Sequence, residues 1–158
     1  MPLLASGLVL GVIAGLVARG DPRRLGDIRL RGLPLIALAV AVRLAVPLAP
    51  LPLFAASLLL VFAVAAWNRT LPGAWLIALG ALSNAVVVAA NGAMPVDLAA
   101  DLQAGRPGAF DGAHTLLGPQ TRLPFLADIF PITRGVYSVG DLVSAAGGFW
   151  IVFRTMKP

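Results

Sequence analysis

The chain has 158 residues, 59% hydrophobic and only 12% charged, with a mean hydropathy of +0.91; a soluble domain carries roughly 25% charged residues, so a water-exposed globule is not the expectation. A net charge of +5 would suggest nucleic acid in a soluble protein, but in so apolar a chain it reads as membrane topology, and no nucleic-acid partner is expected. With no cysteine, no glutamate and one histidine, disulfides, thiol catalysis and a His-rich metal centre are excluded within one chain, and neither metal nor other cofactor is expected.

Taken in order, the first apolar run is 2–18, without a basic segment before it or a small-x-small site before Arg19, so it reads as a retained span and not a cleaved leader. A basic gap follows, with Arg19, Arg23, Arg24, Arg29 and Arg31. The second span is 33–49 and contains Arg43; Pro47, Pro50 and Pro52 mark a tight turn into the third, 51–67. The short Asn68-Arg-Thr-Leu-Pro-Gly73 gap leads to the fourth, 74–90. The long polar segment 91–134 precedes the last span, 136–153. Each run is about 17 to 19 residues, or roughly 26 to 29 Å of helix, just enough for the hydrocarbon core. Helices are the open option in lipid, because every backbone amide must be satisfied internally, and the alternation a β-barrel needs is absent. The expected fold is an all-α polytopic membrane bundle of about five transmembrane helices, one domain over residues 1–158.

Orientation follows from the basic residues. With the first gap inside, Arg19, Arg23, Arg24, Arg29, Arg31, Arg69, Arg154 and Lys157 lie inside, and Arg106, Arg122 and Arg134 outside. The N-terminus is therefore expected outside and the C-terminus inside. The formal glycosylation acceptor at Asn68 falls on the inner side and carries no weight. Gly7, Gly11 and Gly15 recur every four residues, a pattern that lets helix backbones approach closely, within the bundle or across a homodimer.

Polar groups at membrane depth need a partner or a cavity. Arg43 sits in the outer half of the second span, Asn84 outward of the middle of the fourth, and Asp141 at the outer start of the last, so the three converge on one depth. Ser138-Val-Gly-Asp141 also spells a capping box, which gives Asp141 a structural role that can coexist with a functional one. In the outer segment, Asp97 to Gly105 reads as a short helix with Asp97 as cap and Gly105 as stop. The 106–120 stretch reads as a loop that includes His114. Leu123-Pro-Phe-Leu-Ala-Asp-Ile-Phe-Pro131 surrounds Asp128 with apolar residues and is expected at the membrane interface or folded back on the bundle.

Three strings, Asn91-Gly-Ala-Met-Pro-Val96, Thr121-Arg-Leu-Pro-Phe-Leu-Ala-Asp128 and Ser138-Val-Gly-Asp141, resemble a family of small bacterial integral membrane proteins known as a domain of unknown function. That resemblance implies a multi-pass protein of the bacterial cell membrane and supplies no activity. It brings Asn91 and Arg122 into the set of binding candidates, beside Arg43, Asn84 and His114. A second, partial pattern is similar to lipoprotein signal peptidases, aspartyl enzymes of the membrane: Gly80 to Asn84, then Val96-Asp97, then Gly140-Asp141. It departs from them at Ala85 to Val88, where Asp-Arg is missing, at Tyr137-Ser138, where Asn is replaced, and in having five spans instead of four. The resemblance implies that Asp141 with Asp97 or Asp128 would form a dyad in which one carboxyl holds a proton and the other activates water. Two functions are therefore expected: an outward-facing polar pocket for a small molecule, a lipid headgroup, a peptide or a partner, or an aspartyl-type membrane peptidase.

Overall fold

The computed structural model describes residues 2–44, 51–106 and 112–157. Long helices stand at the five apolar runs: α1 (Pro2–Val17), α2 (Leu33–Leu44), α3 (Leu51–Trp67), α4 (Ala74–Asn91) and, last in the chain, α6 (Val139–Met156). Between α4 and α6 lie β1 (Met94–Val96), the short α5 (Leu98–Gln103), β2 (His114–Leu116), β3 (Phe130–Ile132) and β4 (Gly135–Tyr137). The protein is thus mostly helical. Among the described residues, α4 is the one helix long and apolar enough by length and composition to cross a membrane, and α1, α2 and α3 hold shorter apolar stretches.

The helices are neighbours in a simple series: α2 packs on α3, α3 on α4, α4 on α6 and α6 on α1. The glycine stripe explains the last contact. Gly7, Gly11 and Gly15 face Ala145, Phe149 and Met156 of α6, and a Cβ on Gly11 would fall 2.7 Å from the Phe149 carbonyl oxygen. Dispersion between closely approaching backbones, with Met156 and Leu4 packed beside them, holds such a pair. The stripe is therefore filled within one chain, and a homodimer through the same glycines would have to compete with α6.

Three sequence expectations need correction. The last helix begins at Val139 and not at residue 136, because Gly135–Tyr137 pairs antiparallel with Phe130–Ile132 and Ser138 then caps α6. The segment 91–134 is more than a loop with a short helix. In it β1 pairs in parallel with β2, and Val96 also bridges to Asp128, so β1 lies between two partners. His114, expected in a loop, is in β2 opposite Met94. The part of the second span beyond Leu44, with the turn at Pro47 and Pro50, lies outside the described residues.

The buried core runs from the helices into this segment. Phe54 and Leu58 of α3, Ala85, Val87 and Val88 of α4, and Met94 and Ala113 form one cluster, with Leu123 and Leu126 packed against it. The apolar run around Asp128 thus folds back on the bundle. Leu123 and Leu126 bracket a tight turn, Pro124–Leu126, and Phe125 at its tip stays exposed.

The glycine contact gives a direct test. Gly11→Ala should destabilise the protein by about 1–3 kcal/mol, the usual cost of overpacking against a backbone that cannot yield. Gly26→Ala, where an added Cβ meets nothing within 4 Å, should leave stability unchanged or slightly higher. Thermal unfolding of the two variants in the same detergent separates them, and equal loss in both would contradict close α1–α6 packing.

Candidate functional site

The polar centre of the molecule forms where α4 crosses the start of α6. Two close approaches set that crossing. A Cβ on Gly147 would lie 2.7 Å from the Gly73 carbonyl oxygen, and one on Gly140 would lie 2.6 Å from the Gly80 carbonyl oxygen and collide with the Asn84 amide. With no side chain at Gly140, Asn84 can lie directly over the first turn of α6.

That first turn carries the capping box its spelling predicts. Ser138 Oγ accepts from the Asp141 backbone N–H at 3.0 Å, and the Asp141 carboxylate accepts from the Ser138 N–H through Oδ2 at 3.3 Å. Asn84 then ties both residues to α4. Its Nδ2 donates to Asp141 Oδ1 at 3.0 Å, while its Oδ1 accepts from the Ser138 hydroxyl at 2.8 Å. The hydroxyl is the donor here because the amide oxygen can only accept. Asn84 and Ser138 are buried, with 6% and 0% exposure, so these bonds satisfy groups that would otherwise be stranded away from water. Asp141 is a cap and an interhelical acceptor together. It also lines a small cavity of about 40 Å³ together with Asn84, Ser144, Leu4, Val61 and Ile77.

The other candidates have separate tasks. Asn91, the last residue of α4, clamps the Thr121–Leu123 turn through the backbone. Its Nδ2 donates to the Val87 carbonyl at 2.8 Å and to the Arg122 carbonyl at 2.9 Å, and its Oδ1 accepts from the Arg122 N–H at 2.7 Å. Gly92, at φ 76°, ends the helix and lets the chain turn into β1. Asp97 caps α5, accepting from the Ala100 N–H at 2.8 Å. Asp128 is buried and engaged through its backbone, donating to the Pro95 carbonyl and accepting from the Asp97 N–H, both at 2.9 Å. His114 stands against Phe54, ring centroids 6.0 Å apart. The Arg43 side chain lies outside the described residues. The structure thus brings Asn84 and Asp141 together, joins Asn91 to the backbone of Arg122, and places Asp97 and Asp128 within the 91–137 segment.

Sequence reasoning passed over four residues. Asn68 repeats the Asn91 device at the end of α3. Its Oδ1 accepts from the Arg31 N–H at 2.8 Å, and its Nδ2 donates to the Arg31 and Val64 carbonyls at 3.0 and 2.8 Å. The available signal was an asparagine closing each of two successive apolar runs. Asp101 is 1% exposed and ion-paired to Arg106, with 3.1 Å between Oδ1 and Nε. Their spacing across the end of a short helix was the available hint. Tyr137, at the end of β4, has its phenol pKa pushed above 10.0 by burial first, then by the negative charges of Asp141 and Asp128, against the opposing pull of Arg106.

Residues 27–153, most of the chain, match the family described as Family of unknown function (DUF5317). No curated protein and no solved structure matches the chain.

Two outcomes follow from the geometry. Asn84→Ala removes one donor to a carboxylate and one acceptor from a buried hydroxyl, so it should cost about 1–3 kcal/mol of stability in thermal or denaturant unfolding; a neutral result would mean the α4–α6 bonds are not made. Tyr137 is the single tyrosine, so its titration can be followed directly by tyrosinate absorbance. A raised phenol pKa means the folded state holds the proton more tightly than the unfolded one, so its contribution to stability is full below pH 10 and is lost as the pH rises through the folded value. Asp141→Asn removes one of the charges that raise it, and the midpoint should move down toward 10.0. A midpoint that does not move would place Asp141 away from the phenol.

Proposed function

Because the chain belongs to the DUF5317 family, whose description assigns no activity, we propose a function from its own geometry: a multi-pass protein of the bacterial cell membrane that binds a small ligand or lipid headgroup at Asp141. In this reading α1, α2, α3, α4 and α6 are the five spans. The N-terminus is outside, the C-terminus inside, and the 91–137 segment outside over the pocket.

The observation that carries the membrane placement is the exterior of the helices. Leu8, Val9, Leu10, Ile13, Leu16 and Val17 of α1 are all more than a third exposed, and Val17 reaches 80%. A monomeric protein in water rarely leaves so much contiguous apolar surface uncovered, whereas lipid tails cover it without cost. Two further features agree. Trp67, Trp75 and Trp150 are all exposed and lie toward the end of the bundle that holds the arginine-rich gap. Tryptophan and cationic side chains collect at membrane–water interfaces. Beside them Arg154 stands 5.9 Å over the Trp150 ring and Lys157 4.6 Å over the Phe153 ring.

Binding at Asp141 is supported by spare acceptor capacity. A carboxylate offers about four lone-pair sites, and two hydrogen bonds from protein groups leave room for a ligand's donor. The cavity beside it holds Ser144 as a further polar group.

The orientation is testable with single cysteines, since the chain has none of its own. Gly26 and Gly112 both have open space where a side chain would begin. In intact cells an impermeant thiol reagent should label Gly112→Cys and should reach Gly26→Cys only after lysis. Labelling of Gly26→Cys alone would invert the topology, and labelling of neither or both before and after lysis would remove the membrane reading.

A further inference from the structure

A second, larger cavity of about 180 Å³ lies beside the polar one. Its walls are apolar side chains from several helices, among them Leu4 of α1, Ala39 and Val40 of α2, Ala65 of α3 and Ile151 of α6. It exists because α2 packs chiefly on α3, and so stands away from α1 and α6. Small residues keep it open: Ala39, Ala65 and Ala74 are buried there, where larger side chains would have filled the space. Val40, on the wall of this cavity, is itself 39% exposed. Leu4, Val61 and Ile77 line both this cavity and the one that contains Asn84, Asp141 and Ser144. The two spaces therefore adjoin across these three side chains, the larger lined by apolar residues and Asn68 and the smaller ending in a carboxylate. Along α4 they extend from Asn84 to Ala74, ten residues or about 15 Å of helix.

We infer that this composite cavity is a binding site for a linear amphiphile whose hydrogen-bond-donating head meets Asp141 and whose single hydrocarbon tail runs past Leu4, Val61 and Ile77 into the larger cavity. The inference rests on the proposed membrane placement and names the ligand class for the same site. The chemistry divides between the two ends. Apolar cavities of this size stay dry and accept hydrocarbon. In a bilayer, however, the surrounding tails are as apolar as the cavity, so burying a tail confers no net preference. The tail sets placement, and selectivity comes from the head: an amine or hydroxyl gains a hydrogen bond to a carboxylate that hydrocarbon cannot make. Entry from the membrane past the exposed Val40 would avoid crossing the 91–137 segment.

The test uses the full chain in phosphatidylcholine vesicles. They carry a linear alkylamine with a diazirine at its tail end or, at the same mole fraction, the diazirine alkane without the head. After irradiation the labelled residues are mapped by mass spectrometry. The amine should label Val40, Val61 and Ile151 roughly tenfold more than the alkane does, the ratio expected from one hydrogen bond to a charged group. Ala65→Phe should abolish that labelling by filling the cavity, and Ala39→Leu, a milder change in case the first does not fold, should reduce it. Both should retain labels on exposed Leu8 and Leu10. Equal cavity labelling by amine and alkane would overturn the inference, since bilayer hydrocarbon alone would then fill the space. So would cavity labelling unchanged in both variants, or labels confined to Leu8 and Leu10. Absence of labels at Leu8 and Leu10 as well would overturn the membrane reading with it.

Discussion

How closely backbones can approach α6 is the constraint on which the rest of the structure depends. On one side α1 reaches it through Gly7, Gly11 and Gly15; on the other α4 reaches it through the Gly80–Gly140 and Gly73–Gly147 contacts. At Gly7, Gly11, Gly73 and Gly80 the nearest atom across the interface is a backbone carbonyl oxygen, with the Met156, Leu4 and Ile77 side chains packed beside these contacts. The spacing is set by the absence of side chains, and the polar chemistry follows from it. Asn84 reaches a hydroxyl and a carboxylate on the neighbouring helix because Gly140 presents only backbone to it. A side chain at Gly140 would push α4 outward, and the capped start of α6 would lose its interhelical partner.

The second organising feature is the arrangement of polar groups at helix ends. Helix termini leave backbone groups without intrahelical partners, and this chain meets the problem at several ends with side chains. Ser138 and Asp141 close the start of α6, and Asp97 closes the start of α5. At the opposite end of the bundle Arg24 donates to the Lys157 carbonyl just beyond α6 at 2.8 Å. The Arg24 bond joins the basic gap to the end of α6, and Asn84 joins the capped start of α6 to α4. The strands of the 91–137 segment have three residues each, and β1 is buried throughout, so this segment is held by the core as well as by such bonds.

Much of this was readable in the residues themselves. The apolar runs located the long helices, with α3 found to the residue and α4 within one, since helix length and hydropathy are set by the same stretch of chain. The Ser138–Asp141 cap and the Asp97 cap were spelled out locally, and Asn84 and Asp141 were placed at a common depth before any contact between them was visible. The failures have a common cause. Val136 and Tyr137 are apolar and were read as part of the last span, but they pair with Phe130 and Pro131, and strand pairing depends on partners that periodicity cannot reveal over three residues. His114 was assigned to a loop for the same reason, its partner being Met94 twenty positions earlier. The cavity beside α2 was also invisible, because it arises from where a helix does not pack.

The two asparagine clamps have a consequence for how freely their targets can change. Asn68 and Asn91 grip Arg31 and Arg122 through the N–H and carbonyl of the peptide backbone alone. An amide that reads peptide groups is indifferent to the side chain attached to them. Both arginine positions can therefore drift to nearly any residue without loosening the clamp, provided that residue keeps its N–H; proline, which has none, is the one replacement the clamp rejects outright. Conversely, aspartate in place of either asparagine would keep the acceptor but lose both donors, so each clamp tolerates wide change in its target and almost none in itself.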